Sequence, residues 1–199
     1  MPRGLPFGWL GNIVSKNTPR FISLSAMWQR SNHGTKGLDT IGGFSKQYLK
    51  GDLEALEHTE LFESNLIKHI FNGEVKTASA GKGKTRLEAT GYHTEVIRNA
   101  EGRIIPGTKS ELNEKGVYQG RVTVNGIRKR TMGGMSTFFP EHWSPQHIVN
   151  AINEAYANKR FKTNTLNMYE GSSSEGVRIR MRVNANGKIV NVYPLMEEN

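Results

Sequence analysis

The chain has 199 residues, 27 Lys+Arg against 18 Asp+Glu, a formal charge of +9, and no cysteine. Its length suits one domain, or one domain with an extension, and a hydrophobic share of 36% is that of a globular rather than a disordered chain. The missing cysteine excludes disulfides, thiolate metal sites and a Cys nucleophile; no apolar run approaches the ~18 residues of a membrane span; and the basic excess points to a polyanion or an acidic partner.

The N-terminal GLPFGWLGNIV is broken by Gly and Pro and lacks a small-residue cleavage signature, so it does not read as a signal peptide. Phe7, Trp9, Phe21 and Trp28 sprinkle this part with aromatics, and Gly34, Gly37, Gly42 and Gly43 mark a loop. The run FSKQYLKGDLEALEHTELFESNLIKHIF (44–71) predicts helix interrupted by Gly51, with its leucines close to helical period. KTASAGKGKTR (76–86) reads as a basic, Gly-rich loop. VYQGRVTV (117–124) alternates like a strand, Asn125-Gly126 is a hairpin turn, and IRKRT (127–131) returns. Ser144 and Pro145 start a helix, whose buried face is Ile148, Val149, Ile152, Ala155 and Tyr156. In VRIRMRV (177–183) the apolar residues point one way and Arg178, Arg180 and Arg182 the other. Asn186-Gly187 turns the chain into KIVNVYP (188–194). The pattern predicts an α+β fold: an N-terminal helical segment, then antiparallel β-hairpins packed with helices. The division expected is 1–60, an N-terminal segment, and 61–199, which holds most of the positive excess.

Chemistry centres on two of six histidines. His69 lies in HIFNGEV and His93 in GYHTEV, flanking the basic run that carries Lys76, Lys82, Lys84 and Arg86. Two imidazoles can serve as acid and base near neutrality, and a Lys or Arg can offset charge on a phosphorane-like transition state. Such a set suits a phosphodiester, with Lys82, Lys84 and Arg86 as RNA-binding candidates. The stripe Arg178, Arg180, Arg182 reads either as a phosphate-tracking surface or as a solvated face. Lys129 points opposite to Arg128 and Arg130 on a strand, so it must be committed to something inside. No HExxH or acidic cluster supports a metal site. Neither a Walker loop nor a GxSxG elbow is present.

HIFNGE, GYHTE, STFFPEHWS and NVYPL, in that order, resemble the EndoU endoribonucleases, closest to the bacterial branch at the C-termini of interbacterial toxins, including contact-dependent growth inhibition proteins. The resemblance covers about residues 66–196 and implies an EndoU-like fold with a His-His-Lys centre. His69 and His93 match its two histidines. Residues 132–135 hold no Lys where the family carries one, which leaves Lys129, with Arg128 or Arg130 as alternative cations. Ser136 or Thr137 matches the hydroxyl beside the centre, and alternation lets only one face it. Tyr193 matches the Tyr of the C-terminal strand.

The activity implied is metal-independent RNA cleavage without a cofactor, by attack of the ribose 2′-OH to give a 2′,3′-cyclic phosphate. DNA cannot react this way. The context implied is a toxin module secreted within a larger effector, acting on RNA, plausibly tRNA, in the cytoplasm of a competing bacterium. An acidic immunity protein is the expected partner. Two other readings stay open at this level: a housekeeping RNA-processing enzyme, and a non-catalytic basic RNA-binding module.

Overall fold

The computed structural model describes residues 48–196; the aromatic start and the Gly-rich stretch lie outside them. The architecture is α+β. In chain order the elements are a 3-10 turn (Lys50–Ala55), α1 (Leu66–Phe71), β1 (Glu74–Gly81), β2 (Lys84–Thr90), β3 (Gly102–Ile104), β4 (Tyr118–Val124), β5 (Ile127–Arg128), a second 3-10 turn (Thr131–Gly134) and β6 (Met135–Phe138). Then follow α2 (Pro145–Ala157), β7 (Arg160–Phe161), β8 (Met168–Ser172), β9 (Arg178–Val183) and β10 (Ile189–Pro194).

The expected long early helix is replaced by two short pieces. Leu56 leaves the first 3-10 turn in extended geometry, and the chain then lies along β10. Glu63 N–H donates to Ile189 O, and Ile189 N–H donates to Leu61 O. Pairing with a distant strand satisfies backbone groups that a helix would have satisfied locally, so tertiary context overrides propensity. Tyr48, Leu53 and Leu56 pack against the same core as residues beyond 60.

The strands form three antiparallel groups. One sheet has the order β10-β9-β8-β7, a second has β3-β4-β5 with β6 also paired to β4, and β1-β2 is a separate ribbon. Alternation appears as expected: Tyr118, Gly120, Val122 and Val124 are buried on β4, and Ile179, Met181 and Val183 on β9. Asn125 and Gly126 both have positive φ, as their hairpin turn requires. Ser144 caps α2 by accepting from His147 N–H at 3.1 Å. Ile148, Val149, Ile152 and Ala155 form the buried face, and Tyr156 packs at its edge.

The segment 76–86 is a correction. It is not a loop but the greater part of a hairpin, in register from Glu74↔Thr90 to Gly81↔Lys84, with only Lys82 and Gly83 in the turn. Both faces of this ribbon are largely exposed. A strand with no buried face carries no apolar alternation, so its period is silent in the sequence. The last turn is also broader than two residues: Asn184 N–H donates to Lys188 O, with Gly187 N–H returning to Asn184 O.

Candidate active site

The site begins with the end of a short helix. The last carbonyls of α1 have no partner inside the helix. Tyr92 N–H donates to His69 O and His93 N–H to Ile70 O, both at 2.8 Å. The segment after β2 is thereby fastened to the end of α1, and its histidine is carried to the other. Gly91 makes this approach possible. Its φ is +75°, and a Cβ there would stand 2.2 Å from His69 O and 2.9 Å from His69 Nδ1.

The two rings lie 5.5 Å apart, centroid to centroid, at 41°. Each is held through Nδ1 by a different acceptor. His69 Nδ1 meets Glu74 Oε1 at 3.1 Å. His93 Nδ1–H donates to Thr137 O at 2.8 Å. His69 Nε2 is buried without a hydrogen-bond partner. Tyr193 on β10 stacks on His93, with centroids 5.8 Å apart at 23°.

Lys129 completes the group. Its ammonium donates to Ser136 Oγ at 2.8 Å, and Ser136 Oγ donates to Gly91 O at 2.9 Å. One chain of hydrogen bonds therefore ties the lysine to the glycine that positions both histidines. Residues 89 and 129 also form an isolated parallel bridge. Arg128 pairs with Thr123 and faces the other side of the sheet, so the side chain beside Ser136 is Lys129.

Electrostatics separate these groups. Burial, with the charges of Lys129 and His69, pushes His93 well below 6.5 against the opposing pull of Thr137 O. His93 is thus neutral at pH 7 and offers Nε2 as a base. The hydrogen bond from His69, assisted by Lys76, holds the Glu74 carboxyl below the usual range despite its burial. Burial lowers Lys129 to about 8, with Glu88 opposing; the ammonium is mostly charged at pH 7 and close to its limit.

His69, His93, Lys129, Ser136 and Tyr193 therefore come together. Thr137 contributes its backbone carbonyl, while its hydroxyl donates to Pro194 O and ties β6 to β10. Lys82 and Lys84 are not brought in. They sit at the far end of the ribbon, eight strand positions or so from Glu74, roughly 25 Å away. Arg86 forms an ion pair with Glu88 at 3.4 Å. On β9, Arg178 and Arg180 both bind Glu170 of β8, at 2.9 and 2.7 Å, and Lys162 joins them at 3.2 Å. Arg182 is exposed. Arg180 pairs directly with Tyr193 across the strands, so the stripe shares the face that carries Tyr193.

Glu74, Glu88 and Gly91 escaped the sequence reading. Glu74 stands inside the quoted HIFNGE, five residues after His69, and a carboxylate so close to a candidate acid was the available signal. Among the described residues, no group of three or more His, Asp or Glu side chains is placed to hold a metal ion.

A neutral imidazole, a second imidazole on a carboxylate and a half-buried ammonium thus stand in one site, groups able to exchange protons beside a positive charge. The chain belongs to the bacterial EndoU nuclease family, which its residues 63–196 match. It is also similar to a protein of Bacillus cereus named Toxin, 48% identical over 139 residues, covering 70% of this chain and 24% of that protein. The chain thus spans about a quarter of the length of that curated relative. No solved structure matches it.

Proposed function

We propose that this chain is an endoribonuclease that cuts RNA by internal transesterification, without a metal, through His69, His93 and Lys129. The supporting observation is that the two rings, 5.5 Å apart, are fixed by unlike Nδ1 partners. The buried, neutral His93 ring suits the base, and the ring held by the Glu74 carboxylate suits the acid.

In this reading His93 Nε2 takes the proton of the ribose 2′-OH. The 2′-oxygen attacks the adjacent phosphorus, and the bond to the 5′-oxygen breaks. His69, doubly protonated and held at Nδ1 by Glu74, gives its Nε2 proton to that leaving oxygen. The products are a 2′,3′-cyclic phosphate and a 5′-hydroxyl. His93 ends protonated and His69 neutral, and exchange with water resets both. Lys129 offsets the charge that builds on the non-bridging oxygens. Tyr193 flanks His93 and limits its ring rotation. A role in RNA binding alone does not account for a pair of imidazoles clamped in this way.

The relative's name, Toxin, supports a toxin role; the wider context we propose is a module of a larger secreted effector acting on RNA, such as tRNA, in the cytoplasm of a competing bacterium. Such an enzyme requires an immunity protein, for which an acidic surface is the matching chemistry. The test is incubation of purified protein with total bacterial RNA, with and without chelator, followed by analysis of the new ends. Cyclic phosphate ends in both samples are expected. Cleavage that stops in chelator and returns with Mg²⁺ or Mn²⁺ refutes the mechanism.

A further inference from the structure

The strand partner of β4 sends its side chains to two sides. Lys129 N–H donates to Val122 O at 3.1 Å, and the lysine side chain crosses the buried side to Ser136. Arg121 is exposed on the opposite side of β4, and Arg128, paired with Thr123, leaves on that side too. β5 pairs with β4 at Thr123 and Val124, and β6 pairs with it from Arg121 onward. Between them the chain loops away from the sheet. The gap is a depression of about 400 Å³, lined by Ile105, Thr108, Arg121, Arg128 and Arg130 and bordered by Lys129.

Its rim is fastened to the strand. Ile105 N–H donates to Arg121 O at 2.7 Å, and Arg121 N–H donates to Thr108 Oγ1 at 3.1 Å. None of the three guanidiniums has a carboxylate or hydrogen-bond partner among the described residues. Arg178 and Arg180 differ, being committed to Glu170. Like charges gathered around one concavity repel each other, and an anion with several acceptor oxygens relieves that repulsion while filling planar donor forks.

We propose that this depression is an exosite for substrate RNA, holding a backbone phosphate on the reverse of the sheet from the bond being cut. It rests on the RNA-cleaving reading above. Because Arg121 and Arg128 lie on the reverse of the sheet from Lys129, an oligonucleotide just long enough to fill the histidine site does not reach them. A folded RNA does, by passing the sheet edge. The exosite therefore favours folded RNA over short single strands.

The experiment compares wild type with the triple variant Arg121→Gln/Arg128→Gln/Arg130→Gln, using bulk tRNA and a short single-stranded oligoribonucleotide as substrates. A control triple, Arg98→Gln/Lys115→Gln/Arg160→Gln, removes the same charge elsewhere. For tRNA, kcat/KM of the pocket variant should fall on the order of tenfold, and the log–log salt slope should drop by about 0.7–0.9, the loss of one phosphate contact. Oligonucleotide cleavage should stay near wild type, which also reports an intact fold. The triple Arg→Lys variant should recover part of the loss. Unchanged tRNA cleavage overturns the exosite, as does an equal loss in the control triple or an equal loss on both substrates. Wild-type protein that cuts neither RNA refutes the RNA-cleaving reading itself, and the exosite with it.

Discussion

His69 closes a helix and His93 follows a hairpin, yet their rings stand 5.5 Å apart because the last carbonyls of α1 accept the N–H groups of Tyr92 and His93. The same carbonyls that a helix end leaves without partners thus set the distance between the two imidazoles. Glu74, the first residue after the turn that ends α1, then fixes the orientation of the first ring.

His69→Ala and His93→Ala should each lower kcat by ~10²–10⁴-fold, the usual worth of a general acid or base, with RNA affinity little changed. Glu74→Gln keeps a hydrogen-bond acceptor but loses the charge that holds a protonated His69. It should lower kcat on the order of tenfold and leave KM near wild type. Single-turnover cleavage assays check all three; near wild-type rates for either Ala variant would remove that residue from the mechanism.

The pH profile of kcat/KM should be bell-shaped, since the reaction needs a base without its proton and an acid that keeps one. His93 works neutral, and burial pushes it well below 6.5, so activity should rise as pH climbs through a range under 6.5. On the alkaline side the proton on His69 and the charge on Lys129 must both persist, and burial lowers Lys129 to about 8, so activity should have fallen once pH passes about 8. Lys129→Arg stays charged throughout, at some cost in rate from its bulk. An alkaline limb that moves upward in that variant assigns the limb to Lys129, and an unmoved limb assigns it to the proton donor His69.

Gly91→Ala forces a Cβ to within 2.2 Å of His69 O, at φ +75°. The contact is backbone and cannot swing away, so α1 and the His93 segment must part. Activity should fall with the His69–His93 spacing, and stability should drop by about 1 kcal/mol or more. Thermal unfolding together with the cleavage rate measures both.

Glu170 restrains the arginine stripe. Burial favours its neutral form, but hydrogen bonds from Arg180, Lys162 and Arg178 outweigh that and hold it at about 2, against 4.5. A depressed carboxyl stabilises the fold above its unfolded pKa, and this contribution fades as pH falls from about 4.5 toward about 2. Glu170→Gln should cost about 1 kcal/mol at neutral pH, and the gap to wild type should close in acid, as read from urea midpoints. The variant also frees Arg178 and Arg180, so its RNA affinity at low salt should rise. Arg180→Ala should weaken RNA binding only slightly, because that guanidinium is already engaged beside Tyr193.

What could be read from the sequence is what local physics specifies. Alternation marked β4 and β9, the Asn125-Gly126 pair marked a turn that needs two positive φ angles, and Ser144-Pro145 marked the start of α2. Alternation also separated Lys129 from Arg128, and the two histidine motifs marked the site without any distance. These signals rest on side-chain period and backbone geometry within a few residues.

Tertiary structure decided the rest, because it concerns groups brought together by pairing between distant segments. The ribbon of β1 and β2 buries neither face for most of its length, so no apolar pattern announced it, and its extension carried Lys82 and Lys84 away from the histidines. The apolar residues between 53 and 62 matched a helix, but the chain leaves its 3-10 turn at Leu56 in extended geometry, and Leu61 to Glu63 pair with β10 instead. The charge of the Arg178–Arg180 stripe is decided by Glu170 on a neighbouring strand, and the commitment of Lys129 by Ser136 across β4. An ion pair or hydrogen bond forms only where register sets two side chains face to face, and register is a property of the folded sheet.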